Sequence, residues 1–192
     1  MKKIILASSS PRRKEILEKY NVNFQIIKSH IDEKISIKDD PFQVVMSLAF
    51  QKAEDISKGI DYDAIVLAAD TVVYMDRVIG KPKDEGDAYR ILESLSGKEH
   101  LVITGIAIID TSSKKKIVDY EITKVKFREL QPEKINSYIS TGEFKDKAGA
   151  YGIQGYGEIL VDWIEGPYSN VVGFPIVKID KLLEKHFSTK IL

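Results

Sequence analysis

Three hydroxyls, a proline and three cations stand in a row at Ser8-Ser9-Ser10-Pro11-Arg12-Arg13-Lys14, directly after the apolar run Ile4-Ile5-Leu6-Ala7. The run predicts a strand. Pro11 suits the first position of a helix, where its missing N–H costs nothing, and Ser10 before it is a good N-cap. A helix N-terminus offers free backbone N–H groups and a partial positive charge, which favour phosphate. Arginine adds planar, bidentate recognition of phosphate oxygens. The chemistry this pattern predicts is anion binding, with a phosphorylated small molecule as ligand. The plainer alternative is a solvated basic surface. Cations in a first helical turn oppose the helix dipole, and that conflict suggests a purpose for them.

Further along the chain, Ala68-Ala69-Asp70-Thr71 ends the most apolar run. A carboxylate there is costly if buried without a partner, and ligands of open α/β sheets gather at the carboxyl ends of strands. Asp70 is therefore a candidate metal ligand or general base; the alternative is an Asp opening a turn. Glu33, in Asp32-Glu33, reads by itself as a solvated loop acid. Paired with Asp70 it would complete a hard-oxygen Mg²⁺ site, since Mg²⁺ takes one or two carboxylates plus substrate phosphates and waters. Lys52 flanks the apolar stripe of a predicted helix. In Gly80-Lys81-Pro82 the neighbours of Lys81 constrain the backbone around a cation. The stretch from Asp146 to Gly155 carries Lys147 and Gln154 among small residues that let a backbone approach a ligand closely. Gln154 has an amide able to pair with a base. The stretch matches neither the P-loop nor the dinucleotide fingerprint. His30, His100 and His186 lack metal-ligand spacing and read as surface or packing residues.

The elements that position these groups alternate in the first half. Helices are expected over residues 11–20, 40–58 and 84–95, and strands over 4–7, 24–28, 64–69 and 72–79. Along the second helix Phe42, Val45, Met46, Ala49, Ala53 and Ile56 recur at helical spacing. The second half opens with a long hairpin, 101–109 and 116–127, around the turn cluster Asp110-Thr111-Ser112-Ser113-Lys114. A short helix over 132–140, a strand over 158–164 and a last helix over 173–186 complete the chain. The mixture predicts an α/β fold with a mixed β-sheet flanked by helices, since long hairpins do not fit a purely parallel sheet.

The chain has 192 residues, 43% of them hydrophobic, which fits one domain or two small lobes. Lys+Arg and Asp+Glu both number 29, so the formal net charge is zero. That argues against an extended nucleic-acid surface. With no cysteine, thiol catalysis and disulfides are excluded. The apolar runs are too short to span a bilayer, and Met1-Lys2-Lys3 with four apolar residues is too short for a signal peptide. A cytoplasmic location without membrane contact is the expectation.

These residues together resemble the Maf family of nucleoside triphosphate pyrophosphatases. The matching segments are Ala7 to Arg13, Asp32-Glu33, Lys52-Ala53, Ala69-Asp70-Thr71, Gly80-Lys81-Pro82, Ser96-Gly97 through His100, Asp146 to Gly155, and Asn170-Val171-Val172-Gly173-Phe174-Pro175. Phe174 stands where the family usually has Leu, a difference expected to affect packing. The resemblance implies an elongated α/β fold with a central cleft, similar to the inosine triphosphate pyrophosphatases, formed by one domain over residues 1–192 with two lobes. It implies hydrolysis of a nucleoside triphosphate to the monophosphate and pyrophosphate. It implies a divalent metal, Mg²⁺ before Mn²⁺ or Co²⁺, held by Glu33 and Asp70, and a homodimer. Asp70, Lys52, Lys81 and Arg13 match the catalytic group, and Ser8, Ser9, Arg12, Arg13, Thr71, Lys147 and Gln154 the substrate-binding group. Arg12, Thr71 and Gln154 mark the branch that prefers dTTP and UTP. The competing expectation is a nucleotide-binding regulator of cell division or septum formation without turnover.

Overall fold

Among the described residues, a seven-stranded mixed sheet runs in the order Phe24–Ile26, Lys3–Leu6, Ala64–Met75, Glu99–Asp110, Lys116–Phe127, Val161–Glu165, with Arg77–Ile79 paired to the far end of Ala64–Met75. The computed structural model describes residues 2–31 and 40–192; the expectation for Asp32-Glu33 lies outside them. The strands are β1 (Lys3–Leu6), β2 (Phe24–Ile26), β3 (Ala64–Met75), β4 (Arg77–Ile79), β5 (Glu99–Asp110), β6 (Lys116–Phe127) and β7 (Val161–Glu165). The helices are α1 (Pro11–Lys19), α2 (Pro41–Lys58), α3 (Glu85–Leu95), α4 (Pro132–Ser140), α5 (Tyr168–Val171) and α6 (Ile176–Phe187). β1 runs parallel to β2 and β3, and the remaining pairs are antiparallel.

Strand alternation sorts the long β3 onto two faces. Val66 and Ala68 meet Ala49 and Ala53 of α2. Ile65, Leu67 and Ala69 pack with Leu17 of α1 and Ile179 and Leu183 of α6. Further along, Val73 joins Leu92 of α3 and Ile135 of α4. The α2 stripe is rotated slightly from the expected one: Val44 and Leu48 are buried, while Phe42 and Met46 are half-buried. Phe174 is fully buried, as a packing role requires.

The main departure from expectation is β3 itself. Two strands were expected on either side of Asp70-Thr71, but one twelve-residue strand runs through both. What ends near Asp70 is a neighbour. β1 pairs with residues 64–67 of β3, and β4 takes up the same edge only at Val73. Among the described residues, no strand covers that edge between them. The chain leaving β1 turns there into α1, tied by the Ala7 N–H donating to the Leu67 carbonyl (2.8 Å). Ser10 occupies the N-cap position of α1 but its side chain makes no cap bond; Ser8 Oγ instead accepts from the Ser10 N–H (3.2 Å).

His100 of β5 packs as a core residue, 2% exposed, edge-on to Phe127 and Tyr151. Its Nε2 lies 2.8 Å from the Tyr151 hydroxyl. Burial pulls its pKa down from 6.5 to about 4. The unfolded chain therefore binds the proton first as pH falls, and native stability is lost between pH 6.5 and 4. The contribution amounts to about 3 kcal/mol across that window. Urea unfolding at pH 7, 5.5 and 4 checks it. A His100→Gln variant, less stable at pH 7, is expected to show a shallower decline, and an equal slope would assign the acid sensitivity to other groups.

Candidate active site

The edge of β3 between β1 and β4 opens into a cleft of about 490 Å³. Its lining includes Ser8, Ser9, Arg12, Arg13, Lys52, Asp70, Thr71, Lys81, Lys147 and Gln154. The structure thus brings together, from five separate segments, every residue singled out in the sequence except Glu33, which lies outside the described residues.

Asp70 and Thr71 are consecutive on β3, so they point to opposite faces of the sheet. Asp70, 7% exposed, faces α2. There Lys52 Nζ meets Asp70 Oδ1 at 2.5 Å, with both side chains largely buried. A backbone approach sets up this pair. Asp70 lies opposite Gly105 of β5, and α2 crosses so near that a Cβ on Gly105 would sit 2.2 Å from the Val45 carbonyl oxygen. Lys52 follows Val45 by two helical turns and so projects from the same face.

Thr71 faces the other way, toward α1 and α5. Arg13 donates from Nη2 to Thr71 Oγ1 (3.3 Å), from Nη1 to Ser8 Oγ (3.2 Å) and from Nε to the Gly173 carbonyl (2.8 Å). Gly173 has φ +100°, and a Cβ there would crowd the Thr71 hydroxyl at 3.1 Å, so the close approach needs glycine. Arg13 is thereby held by three segments at once, which preorganises a bidentate donor.

The opposite wall is the glycine-rich segment. The Gly149 N–H donates to the Gly80 carbonyl (3.0 Å), fastening this segment to the turn that carries the exposed Lys81. Lys147 donates to the Glu143 carbonyl. Burial, and next the nearby Arg12 guanidinium, lower the pKa of its ammonium. Two cations facing each other in a half-buried wall are the arrangement an anion relieves. Gln154 is exposed at the rim, its Nε2 3.4 Å from Glu15 Oε2.

Sequence reasoning passed over three residues that organise these walls. Glu143 accepts from the N–H groups of Tyr156 (2.8 Å) and Gly157 (3.0 Å) and from the Tyr138 hydroxyl (3.1 Å). It is the post around which the segment carrying Gln154 is wound. Thr104 and Asn170 lie fully buried behind Thr71. The signals in the sequence were the polarity of Thr104 within an apolar run and the place of Asn170 in a segment that resembles the Maf family.

Among the described residues, five cations and the carboxylates of Asp70 and Asp146 line one cleft. Among the described residues no three His, Cys, Asp or Glu side chains cluster as a protein-only metal cage. A hard cation that takes one carboxylate and completes its sphere with phosphate oxygens and water fits Asp70 nonetheless. Such a basic cleft, with one buried carboxylate at its floor, suits a polyphosphate and its hydrolysis.

Known proteins bear on this geometry. The family model "Maf-like protein" matches residues 3–186. A dTTP/UTP pyrophosphatase of Alkaliphilus oremlandii is 51% identical over 192 residues, covering 100% of both chains. One from Clostridioides difficile is 53% identical over 186 residues, covering 96% of this chain and 95% of that one. The HAM1 protein of Coxiella burnetii, a solved structure, superposes with TM-score 0.50 at 14% identity, over 84% of this chain and 81% of its own; that likeness concerns the fold alone. No helix among the described residues is long and apolar enough to cross a membrane. With the match running through every segment that builds the cleft, the chain belongs to the Maf-like protein family.

Proposed function

We infer that this protein is a nucleoside triphosphate pyrophosphatase that hydrolyses dTTP and UTP to the monophosphate and pyrophosphate. The observation that carries the reading is the cleft itself. Arg12, Arg13, Lys52, Lys81 and Lys147 surround a floor formed by Asp70 and Thr71, in a chain about half identical to enzymes named for that activity.

In this reading the cations bind the triphosphate and stabilise the charge that builds on the departing pyrophosphate. Arg13, braced by Ser8, Thr71 and Gly173, is the preorganised clamp. The Ser8 and Ser9 hydroxyls line the turn that receives phosphate. Lys52 holds the Asp70 carboxylate in place, and Asp70 orients water or takes its proton for attack at the α-phosphorus. A divalent metal, Mg²⁺ before Mn²⁺ or Co²⁺, would be held by Asp70 and Glu33, and when bound it supplies charge neutralisation of the triphosphate. Arg12, Thr71 and Gln154 select the base. We further take residues 1–192 as one domain whose two lobes are the cleft walls, forming a cytoplasmic homodimer without a nucleic-acid partner.

A screen of triphosphates with Mg²⁺ tests the reading. Pyrophosphate is the expected first product, with dTTP and UTP the best substrates. Tight nucleotide binding with no product from any triphosphate would instead favour a regulator without turnover, and orthophosphate as first product would exclude attack at the α-phosphorus.

A further inference from the structure

Behind Thr71 lies a chain of hydrogen bonds whose direction is settled by its far end. Thr104 Oγ1 is 3.2 Å from the Asn170 carbonyl oxygen and 2.9 Å from Thr71 Oγ1, and Thr104 is completely buried. A carbonyl only accepts, so the single Thr104 proton goes to Asn170. The opposite choice would leave the Thr104 and Asn170 oxygens 3.2 Å apart with no proton between them in a fully buried place, which is unfavourable even though the Asn170 carbonyl also accepts from the Gly173 N–H (2.9 Å). Thr104 Oγ1 must then accept, and the proton it accepts is that of Thr71. On its other side Thr71 Oγ1 faces the Arg13 guanidinium (3.3 Å), which only donates. The one proton of Thr71 is spent inward, and its hydroxyl meets the cleft as an acceptor.

Asn170 is itself locked. Its amide donates to the Val102 carbonyl (3.0 Å) and to Thr123 Oγ1 (3.1 Å), and Thr123 donates to the Pro167 carbonyl (2.9 Å). The short helix α5 is thus pinned against β5 and β6 with the Asn170 carbonyl turned to Thr104.

An acceptor-only hydroxyl does not bind phosphate oxygens, which are acceptors too. It needs a ligand atom that donates. Sugar hydroxyls donate and accept, so they would not require a fixed polarity. Thymine and uracil share an imide N3–H, whereas cytosine presents a bare N3 lone pair. We propose that Thr104 and Asn170 are positioning residues that hold the Thr71 hydroxyl as an acceptor, and that it accepts from the imide N3–H of uracil and thymine. This rests on the pyrimidine triphosphate reading above and names how the base is chosen.

The test compares kcat/KM for UTP, CTP, 3-methyl-UTP and 3′-deoxy-UTP, alongside calorimetric binding of UMP and CMP, which needs no turnover. Thr104→Val frees the Thr71 proton to turn into the cleft. The preference for UTP over CTP, and for UMP over CMP, is expected to fall about tenfold, the worth of one hydrogen bond. Thr104→Ser keeps the preference. Thr71→Val loses it to the same extent, and adding Thr104→Val then changes nothing more, since both act through one contact. The Thr104→Val protein is expected to fold, because the Gly173 N–H also donates to the Asn170 carbonyl (2.9 Å), and a melting curve checks this. Equal losses with UTP and CTP in Thr104→Val overturn the proposal, as does loss of preference in Thr104→Ser. Wild-type use of 3-methyl-UTP as good as UTP, or a comparable penalty for 3′-deoxy-UTP, overturns the imide assignment. If the wild type released no pyrophosphate yet bound UMP over CMP through Thr104, the activity would be refuted and this inference would stand.

Discussion

Replacing Asp70 with Asn is expected to lower the turnover of dTTP and UTP by about 1,000-fold, within the range lost when a general base is removed, while nucleotide still binds. The side chain keeps its shape, so the strand register and the fit against α2 persist. What goes is the negative charge and the basicity. Asp70 is the carboxylate buried at the floor of the cleft, 7% exposed, and it is gripped by Lys52 at 2.5 Å. The grip fixes its oxygens where, among the described residues, no strand pairs with one edge of β3. Binding survives because Arg12, Arg13, Lys81 and Lys147 on the surrounding walls are untouched, and the loss of an anion near a triphosphate favours affinity. Stopped assays give kcat, and titration with a nucleotide under non-turnover conditions gives affinity. A kcat within a few-fold of wild type would remove Asp70 from the chemistry, and loss of affinity with unchanged kcat would recast it as a binding group.

The second large effect comes from a residue with no functional group. Gly105→Ala is expected to destabilise the protein by about 3 kcal/mol, the upper end for overpacking a core, and to cut turnover as well. The new methyl would lie 2.2 Å from the Val45 carbonyl oxygen, 2.3 Å from its carbon and 2.7 Å from the Met46 nitrogen. These are backbone atoms of a helix and do not swing aside. α2 has to lift from β5, and Lys52, two turns along, leaves Asp70. For a chain of this size that corresponds to a fall in Tm of roughly 10 °C. Gly86→Ala is the control. Its Cβ meets nothing nearer than 3.4 Å, it lies inside α3, and alanine favours a helix, so stability is expected to hold or rise slightly. A Gly105→Ala protein with wild-type Tm and kcat would show that the α2 approach does not position the pair.

The two substitutions mark which features of the molecule can be read from the chain. Local punctuation was legible. Pro11, Pro41 and Pro132 each begin a helix, Asp40 and Asp84 cap theirs with side-chain oxygens, and Gly59 stops α2. Ten of the cleft residues were legible as well, because charges and hydroxyls beside constrained backbone are informative one segment at a time. The continuity of β3 was not. Asp70-Thr71 interrupts an apolar run, and a polar pair inside a strand looks like a turn unless its partners, Lys52 on one face and Arg13 with Thr104 on the other, are known. Gly105 was hidden for a related reason, since its value lies in what passes over it. Glu143 acts through hydrogen bonds to its flanking turns and Asn170 through bonds to strands distant in sequence, so neither spacing nor periodicity announces their roles.

In this cleft water is expected to attack the α-phosphorus of a pyrimidine triphosphate. Hydrolysis of UTP in ¹⁸O-labelled water, followed by mass spectrometry of both products, tests it most directly. One labelled oxygen is expected in UMP and none in pyrophosphate. Label in the pyrophosphate with unlabelled UMP would contradict it, because water would then have attacked the β-phosphorus.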